Sequence, residues 1–150
     1  METTPSDILG PGVADRLSPP VGEIARGMPR AAYTSDAFFA LERERLFPRQ
    51  WIFVGHAHDI AEPGDVLPVT VAGQPVILVR GADGEIRGFH NSCRHRGRRV
   101  VDAPRKGLKL LTCPYHSWAY DLDGGLRATP HFGGYKQHDV AGFDRAQYGL

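Results

Sequence analysis

Cysteine is scarce: the 150 residues contain two, Cys93 and Cys113. A small fold stapled by several disulfides is thereby excluded. Neither sign of charge dominates, since 18 Lys and Arg face 17 Asp and Glu for a net charge of +1. No global field draws the chain to nucleic acid or to an anionic membrane surface. No apolar run reaches the length of a membrane span, and Met1-Glu2-Thr3-Thr4-Pro5 does not open a signal peptide. There is no internal repeat and no low-complexity segment. What is present is an ordinary globular composition, 41% hydrophobic and 23% charged, with enough length for one domain and a sizeable core.

Each of the two cysteines has a histidine within three positions. Cys93-Arg94-His95 and Cys113-Pro114-Tyr115-His116 form the pattern C-x-H, seventeen residues, C-x2-H. Two thiolates and two imidazoles are a metal-ligand set. Zinc accepts such a set, but its finger spacings pair Cys with Cys and His with His. Here each half mixes the two. A disulfide between Cys93 and Cys113 would leave both histidines without a purpose. The mixed pairing suits a Rieske [2Fe-2S] cluster, in which one iron takes two thiolates and the other two imidazoles. Two loops, each offering one Cys and one His, supply that arrangement. With both thiols on iron no disulfide remains, which fits a reducing cytoplasm.

Along the chain, residues 1–32 carry Pro5, Pro11, Pro19, Pro20 and Pro29 with four interspersed glycines, and read as an extended arm. Thr34-Ser35-Asp36 opens a helix with Thr34 or Ser35 as N-cap, and Pro48 stops it. From Trp51 the pattern becomes that of strands. Trp51-Ile52-Phe53-Val54 is a short apolar run. Runs 66–71 and 75–80 flank Ala72-Gly73-Gln74 as a hairpin. Ala82-Asp83-Gly84 turns into 85–89, segment 107–112 leads to the second ligand pair, and 119–122 and 125–127 flank Asp123-Gly124. The fold class is therefore mostly β, an antiparallel domain over 33–150 with both ligand loops at one tip. Residues 129–150 show no regular element.

The residues resemble a known family. Phe89-His90-Asn91-Ser92-Cys93-Arg94-His95-Arg96-Gly97 and Cys113-Pro114-Tyr115-His116-Ser117-Trp118-Ala119-Tyr120 look like the N-terminal Rieske domain of ring-hydroxylating oxygenase α subunits. Phe47 and Trp51 to His56 look like the start of that domain. The resemblance covers Tyr33 to Leu150. Rieske proteins of cytochrome bc complexes carry an extra Cys in each loop and a membrane anchor, and neither is seen in this sequence. Ser117 departs from the family, which more often has Gly or Ala there; its hydroxyl is a candidate donor toward the cluster.

The resemblance implies Cys93, His95, Cys113 and His116 as ligands of the [2Fe-2S] cluster. It implies electrons drawn from NAD(P)H through a flavin or iron–sulfur reductase or a ferredoxin. These would pass to a mononuclear Fe(II) in a following catalytic domain, there to activate O₂ for hydroxylation of a small organic substrate, an aromatic acid or a quaternary ammonium compound. Trimers are common in that family. No two-His-one-carboxylate set for such an iron is found in these 150 residues, so this chain by itself is expected to carry electrons and not to hydroxylate. The alternative is a free-standing Rieske ferredoxin. Each ligating imidazole keeps an N–H on its other nitrogen, which makes the outer edges of His95 and His116 the natural electron exit. The first loop and its linker are basic, with Arg94, Arg96, Arg98, Arg99, Arg105, Lys106 and Lys109 against Asp102. That suits either local structural bonding or a docking face for an acidic donor. His56 and His58 read as surface or packing residues, His90 as packing, and His131 and His138 as part of the irregular tail.

Overall fold

The structure, a computed structural model, describes residues 3–138 and 140–150. It divides into two compact units, Met1–Ile52 and Phe53–Leu150. In the first unit, residues 3–32 are not extended throughout. They contain α1 (Pro5–Leu9) and α2 (Val13–Leu17), and α3 (Ala31–Thr34) follows before the longer α4 (Asp36–Arg45). A capping box starts α1: the Thr4 N–H donates to Asp7 Oδ2 at 2.8 Å, and the Asp7 N–H donates to Thr4 Oγ1 at 3.4 Å. Pro5 sits at the first helical position, where its missing N–H costs nothing. Proline and glycine density limits these helices to about one turn. It does not prevent Leu9 and Val13 from packing against Phe38 of α4. Those few apolar residues are hidden in a polar, proline-rich composition. Ser35 caps α4, accepting from the Phe38 N–H at 3.2 Å, and a single 3₁₀ turn, Phe47–Arg49, follows around Pro48.

The run Trp51 to Val54 is not a strand. Its apolar composition matches one, but it pairs with no strand among the described residues, and Trp51 is 104% exposed. Composition reports a preference for pairing; only a neighbouring strand satisfies it.

The second unit is built on two antiparallel sheets, one of β1 (Val66–Val71), β2 (Gln74–Arg80) and β3 (Ile86–His90), the other of β4 (Leu111–Thr112), β5 (Ala119–Tyr120) and β6 (Leu126–Ala128). The β1–β2 hairpin turns on Ala72 (φ 48°) and Gly73 (φ 84°), both left-handed as a two-residue turn of this twist requires. Ile77, Val79, Val66, Leu111, Trp118 and Tyr120 fill the core. The tail is also part of it. Phe132, Phe143, Tyr148 and Leu150 pack on the core, and the Leu150 N–H donates to Gly124 O at 2.9 Å. Aromatics at irregular spacing carry no periodic signal, which is why 129–150 read as a plain loop.

The 91–110 connection is fastened to the first sheet near Gly64 and Asp65. Gly64 (φ 87°) donates to Arg80 O and accepts from the Leu108 N–H, each at 2.9 Å. A Cβ there would run into the Leu108 backbone, so no other residue fits. Buried Asp65 accepts from Lys106 Nζ at 2.9 Å and from the Glu62 N–H at 3.1 Å. The Lys106 hydrogen bond, then the backbone bond, hold its carboxyl below the ordinary value of 3.8. A depressed folded value stabilises the protein above the unfolded value and ceases to do so as pH falls through the folded one. Asp65→Asn is therefore expected to lower the urea midpoint at neutral pH. The gap to the unaltered protein should close as pH drops below about 3.8. A gap independent of pH would contradict this role.

Candidate metal centre

β3 delivers the chain into the first loop, and Asn91 closes that loop at its base. Asn91 is 2% exposed. Its Oδ1 accepts from the Val100 and Val101 N–H groups at 2.8 and 3.1 Å, and its Nδ2 donates to Val101 O at 2.7 Å. Inside the ring, the Cys93 N–H donates to Arg98 O and the Gly97 N–H donates to Cys93 O, both at 2.8 Å. The second loop, between β4 and β5, repeats the scheme. The Cys113 N–H donates to Trp118 O at 2.8 Å, and the Ser117 N–H donates to Cys113 O at 3.0 Å. In both loops the residue four after the cysteine is left-handed, Gly97 at φ 68° and Ser117 at φ 58°. A left-handed backbone at this position favours glycine, so Ser117 sits there at a conformational cost. The Ser117 side chain is exposed and makes no hydrogen bond among the described residues.

The two loops bring all four expected ligands together. Cys93 and Cys113 lie in the buried floor, each 3% exposed, with Cys93 close enough to contribute to the raised Cys113 pKa. Burial, more than any neighbour, pushes the Cys113 thiol up. His95 and His116 pair nearer the surface with ring centroids 4.7 Å apart. His95 lies flat on Trp118, 4.8 Å away at an interplanar angle of 8°. Tyr115 leans on His116 at 3.8 Å. Burial lowers the His95 pKa, with smaller effects from His116 and Arg96. His95 Nδ1 is buried and has no hydrogen-bond partner. A buried imidazole nitrogen left bare is costly unless something binds its lone pair, and a metal ion is the group that fits there.

Tyr120 is fully buried, and its hydroxyl accepts from the Arg94 N–H at 3.0 Å while lying 3.2 Å from Cys93 Sγ. Toward a thiolate only the phenol can donate. Burial, then that sulfur contact, pushes the Tyr120 pKa up. Tyr120 and Asn91 have no metal-binding signature in sequence. Tyr120 meets a thiol 27 residues away, and only the hairpin geometry makes that contact.

The remaining histidines are not part of the site. His56 and His58 are exposed and stacked on each other at 5.2 Å. His90 is exposed, not packed as expected, because it ends β3 on an outward position. His131 Nδ1 accepts from the Lys136 N–H and His138 Nδ1 from the His131 N–H, at 2.9 and 3.1 Å, so both serve their own loop. Among the described residues no three His, Cys, Asp or Glu converge as ligands of a single ion. A two-iron cluster needs only two protein ligands on each iron.

Such a site, two thiols and two imidazoles on paired loops at the tip of a small β domain, fits the class of iron–sulfur proteins of mixed ligation. The chain belongs to the Rieske [2Fe-2S] domain family, whose pattern matches residues 50–139. It is homologous to Rieske oxygenase α subunits. It is 38% identical over 104 residues to the carnitine monooxygenase oxygenase subunit of Acinetobacter baumannii, covering 69% of this chain and 28% of that protein. A quaternary ammonium Rieske monooxygenase, studied for carnitine oxidation and inter-subunit electron transfer, superposes with a TM-score of 0.72 at 31% identity. That match covers 99% of this chain and 36% of the other. Naphthalene 1,2-dioxygenase with bound indole superposes with a TM-score of 0.66 at 32% identity, over 75% of this chain and 24% of its own. The chain therefore spans well under half the length of these relatives, and their being oxygenase subunits favours that reading over a free-standing ferredoxin. No helix among the described residues is long and apolar enough to cross a membrane.

Proposed function

We propose that Cys93, His95, Cys113 and His116 hold the [2Fe-2S] cluster, with the thiolates on one iron and the imidazoles on the other. The observation that carries this is the bare, buried His95 Nδ1 beside a second imidazole and two buried thiols. The bound cluster supplies one-electron chemistry. Around it, the two cysteines and Tyr120 keep water from the floor of the site. Trp118 holds the His95 ring flat, which leaves Nδ1 free to bind a metal, while Nε2 would keep its proton.

By this reading the chain is the electron-transfer domain of a ring-hydroxylating-type oxygenase. NAD(P)H supplies electrons through a flavin or iron–sulfur reductase or a ferredoxin. From the cluster they would pass to a mononuclear iron, which would supply the O₂ chemistry. The likeness to the quaternary ammonium monooxygenase runs over nearly the whole chain, and that to naphthalene dioxygenase over three quarters of it. We therefore assign the substrate of the full protein to the quaternary ammonium class, and its assembly to a homo-oligomer in which electrons cross between subunits.

The test is anaerobic reconstitution with iron and sulfide. About two of each per chain should be incorporated, and after one-electron reduction pulsed EPR should detect two histidine nitrogens. One zinc per chain without sulfide would sink the assignment. Residues 1–150 mixed with reductase should not turn substrate over, whereas the full-length protein should consume O₂ with carnitine or glycine betaine and not with biphenyl.

Tyr120→Phe keeps the ring in the core and removes the donor to Cys93. The cluster should still assemble, and its reduction potential should fall, because a hydrogen bond to a ligand sulfur favours the reduced, more negative state. Protein-film voltammetry measures this directly; an unchanged or higher potential would exclude the donor role.

A further inference from the structure

The loop 129–138 is closed by its own histidines. The His131 N–H donates to His138 Nδ1 at 3.1 Å, and the Lys136 N–H donates to His131 Nδ1 at 2.9 Å. At the base, the buried Thr129 hydroxyl donates to His138 O at 2.7 Å. Inside the loop, the Gly134 N–H donates to His131 O and the Gln137 N–H to Gly134 O, each at 3.0 Å. His131 and Lys136 both hold left-handed backbone, at φ 59° and 60°. That conformation costs a residue with a Cβ, and it persists only where other contacts hold it. Phe132 lies inside the span that the two imidazoles close. Its ring meets His95 edge-on at 6.0 Å and Trp118 at 5.0 Å. The loop therefore lays Phe132 against the ring that Trp118 supports from its face.

Both acceptors that close this loop are imidazole nitrogens. A neutral imidazole accepts on one nitrogen and carries its proton on the other; an imidazolium has two N–H groups and no acceptor. We infer that the loop is an acid-released latch: it stays closed while His131 and His138 are neutral, and it opens on their protonation, taking Phe132 off His95. A protonated Nδ1 turns its hydrogen toward the amide hydrogen it had accepted. The two bonds are therefore present above the range in which imidazoles ordinarily charge, about pH 6.5, and are lost below it. The groups facing the two rings are each other, Tyr135 and Lys136. The rings stand 5.2 Å apart, Tyr135 stacks on His131 at 5.8 Å, and Lys136 Nζ lies 5.3 Å from the Tyr135 ring. Charging both imidazoles thus sets like charges side by side, close to an ammonium group. Neither imidazole pairs with a carboxylate among the described residues. Asp139, next in sequence, lies outside the described residues. Opening also relieves the left-handed backbone, which acts in the same direction. The Thr129 bond does not titrate and keeps the base of the loop in place.

The experiment is residue-resolved hydrogen–deuterium exchange at about pH 8 and about pH 5.5, on either side of that range, with intrinsic exchange rates corrected. Protection of the His131 and Lys136 amides should fall about tenfold at the acid value, as loss of their hydrogen bonds would give. The Phe132 amide, which donates to Thr129 O at 3.2 Å, should lose protection with them. If that amide stays protected, Phe132 does not leave His95 and the inference fails. His131→Asn/His138→Asn keeps an acceptor oxygen near each Nδ1 position and cannot titrate, and asparagine tolerates the left-handed backbone at 131. Its protection should be the same at both pH values. This variant retains His95, His116 and Asp139, so an undiminished pH dependence in it would assign the change to them and overturn the inference. Protection that does not vary with pH in the unaltered chain would do the same. Should the asparagines fail to support the loop, His138→Ala decides. It should exchange at about pH 8 as the unaltered chain does at about pH 5.5, and full protection there would count against the latch. Exchange is read before and after reconstitution, so the result stands apart from the ligand assignment.

Discussion

Cys93→Ser or Cys113→Ser is expected to abolish iron and sulfide incorporation and to lower the unfolding temperature of the reconstituted protein. The expected drop is about 10 °C or more, equivalent to about 2 kcal/mol in a domain of this size. A serine alkoxide is a harder and far more basic donor than a thiolate, so it does not replace the soft sulfur that iron–sulfur chemistry selects. The thermal effect follows because ligands held together only in the native state make metal binding a part of folding. Both thiols are buried within the same core as Trp118 and Tyr120. A merely structural cysteine would give a different pattern. The variant and the unaltered chain would then differ equally with and without metal. If Cys93 and Cys113 are ligands, the two metal-free proteins should melt within a few degrees of each other, and only the unaltered chain should gain stability on reconstitution. A serine variant that retains full iron and sulfide would refute the ligand assignment.

Trp118→Ala is the second large effect. Trp118 is 2% exposed. It stacks on His95 and is met edge-on by Phe132 at 5.0 Å, Phe143 at 5.9 Å and Tyr148 at 6.4 Å. Truncation leaves a cavity that a two-sheet domain with such short strands cannot close. The expected cost is about 3–5 kcal/mol, a large part of the whole stability of a small domain. The loss reaches the site, because the His95 ring loses the surface that keeps it flat and the tail loses its anchor. Denaturant unfolding of the metal-free protein measures the cost without interference from the cluster. Trp118→Phe should recover part of it by keeping an aromatic face under His95. A cost below about 1 kcal/mol would mean that the aromatic group is not the packing centre.

Some features of the site are legible in the linear chain because they depend on neighbours in sequence. Cys93 with His95 and Cys113 with His116 are local pairs, and the mixture of ligand types within each half separates a two-iron site from a zinc finger. The cap at Thr34 or Ser35, the turns at Gly73 and at Asp83-Gly84, and the strands read at 66–71 and 75–80 are local too, set by capping and turn chemistry. Where a segment depends on distant partners, the reading fails. Trp51 to Val54 has strand composition and no strand to pair with. Residues 3–32 have the composition of an arm, yet Leu9 and Val13 find Phe38.

The amino-acid sequence by itself determined the two Cys–His pairs proposed as ligands, the two loops that carry them and the antiparallel hairpins that support them. Spacing and turn chemistry act over a few residues, so their information survives in one dimension. Only the tertiary structure decided that Tyr120 reaches Cys93, that Asn91 locks Val100 and Val101 around the first loop, and that His95 lies against Trp118 and Phe132 with Nδ1 bare. These are contacts between residues far apart in the chain, and they exist only where packing and strand pairing have brought the segments together.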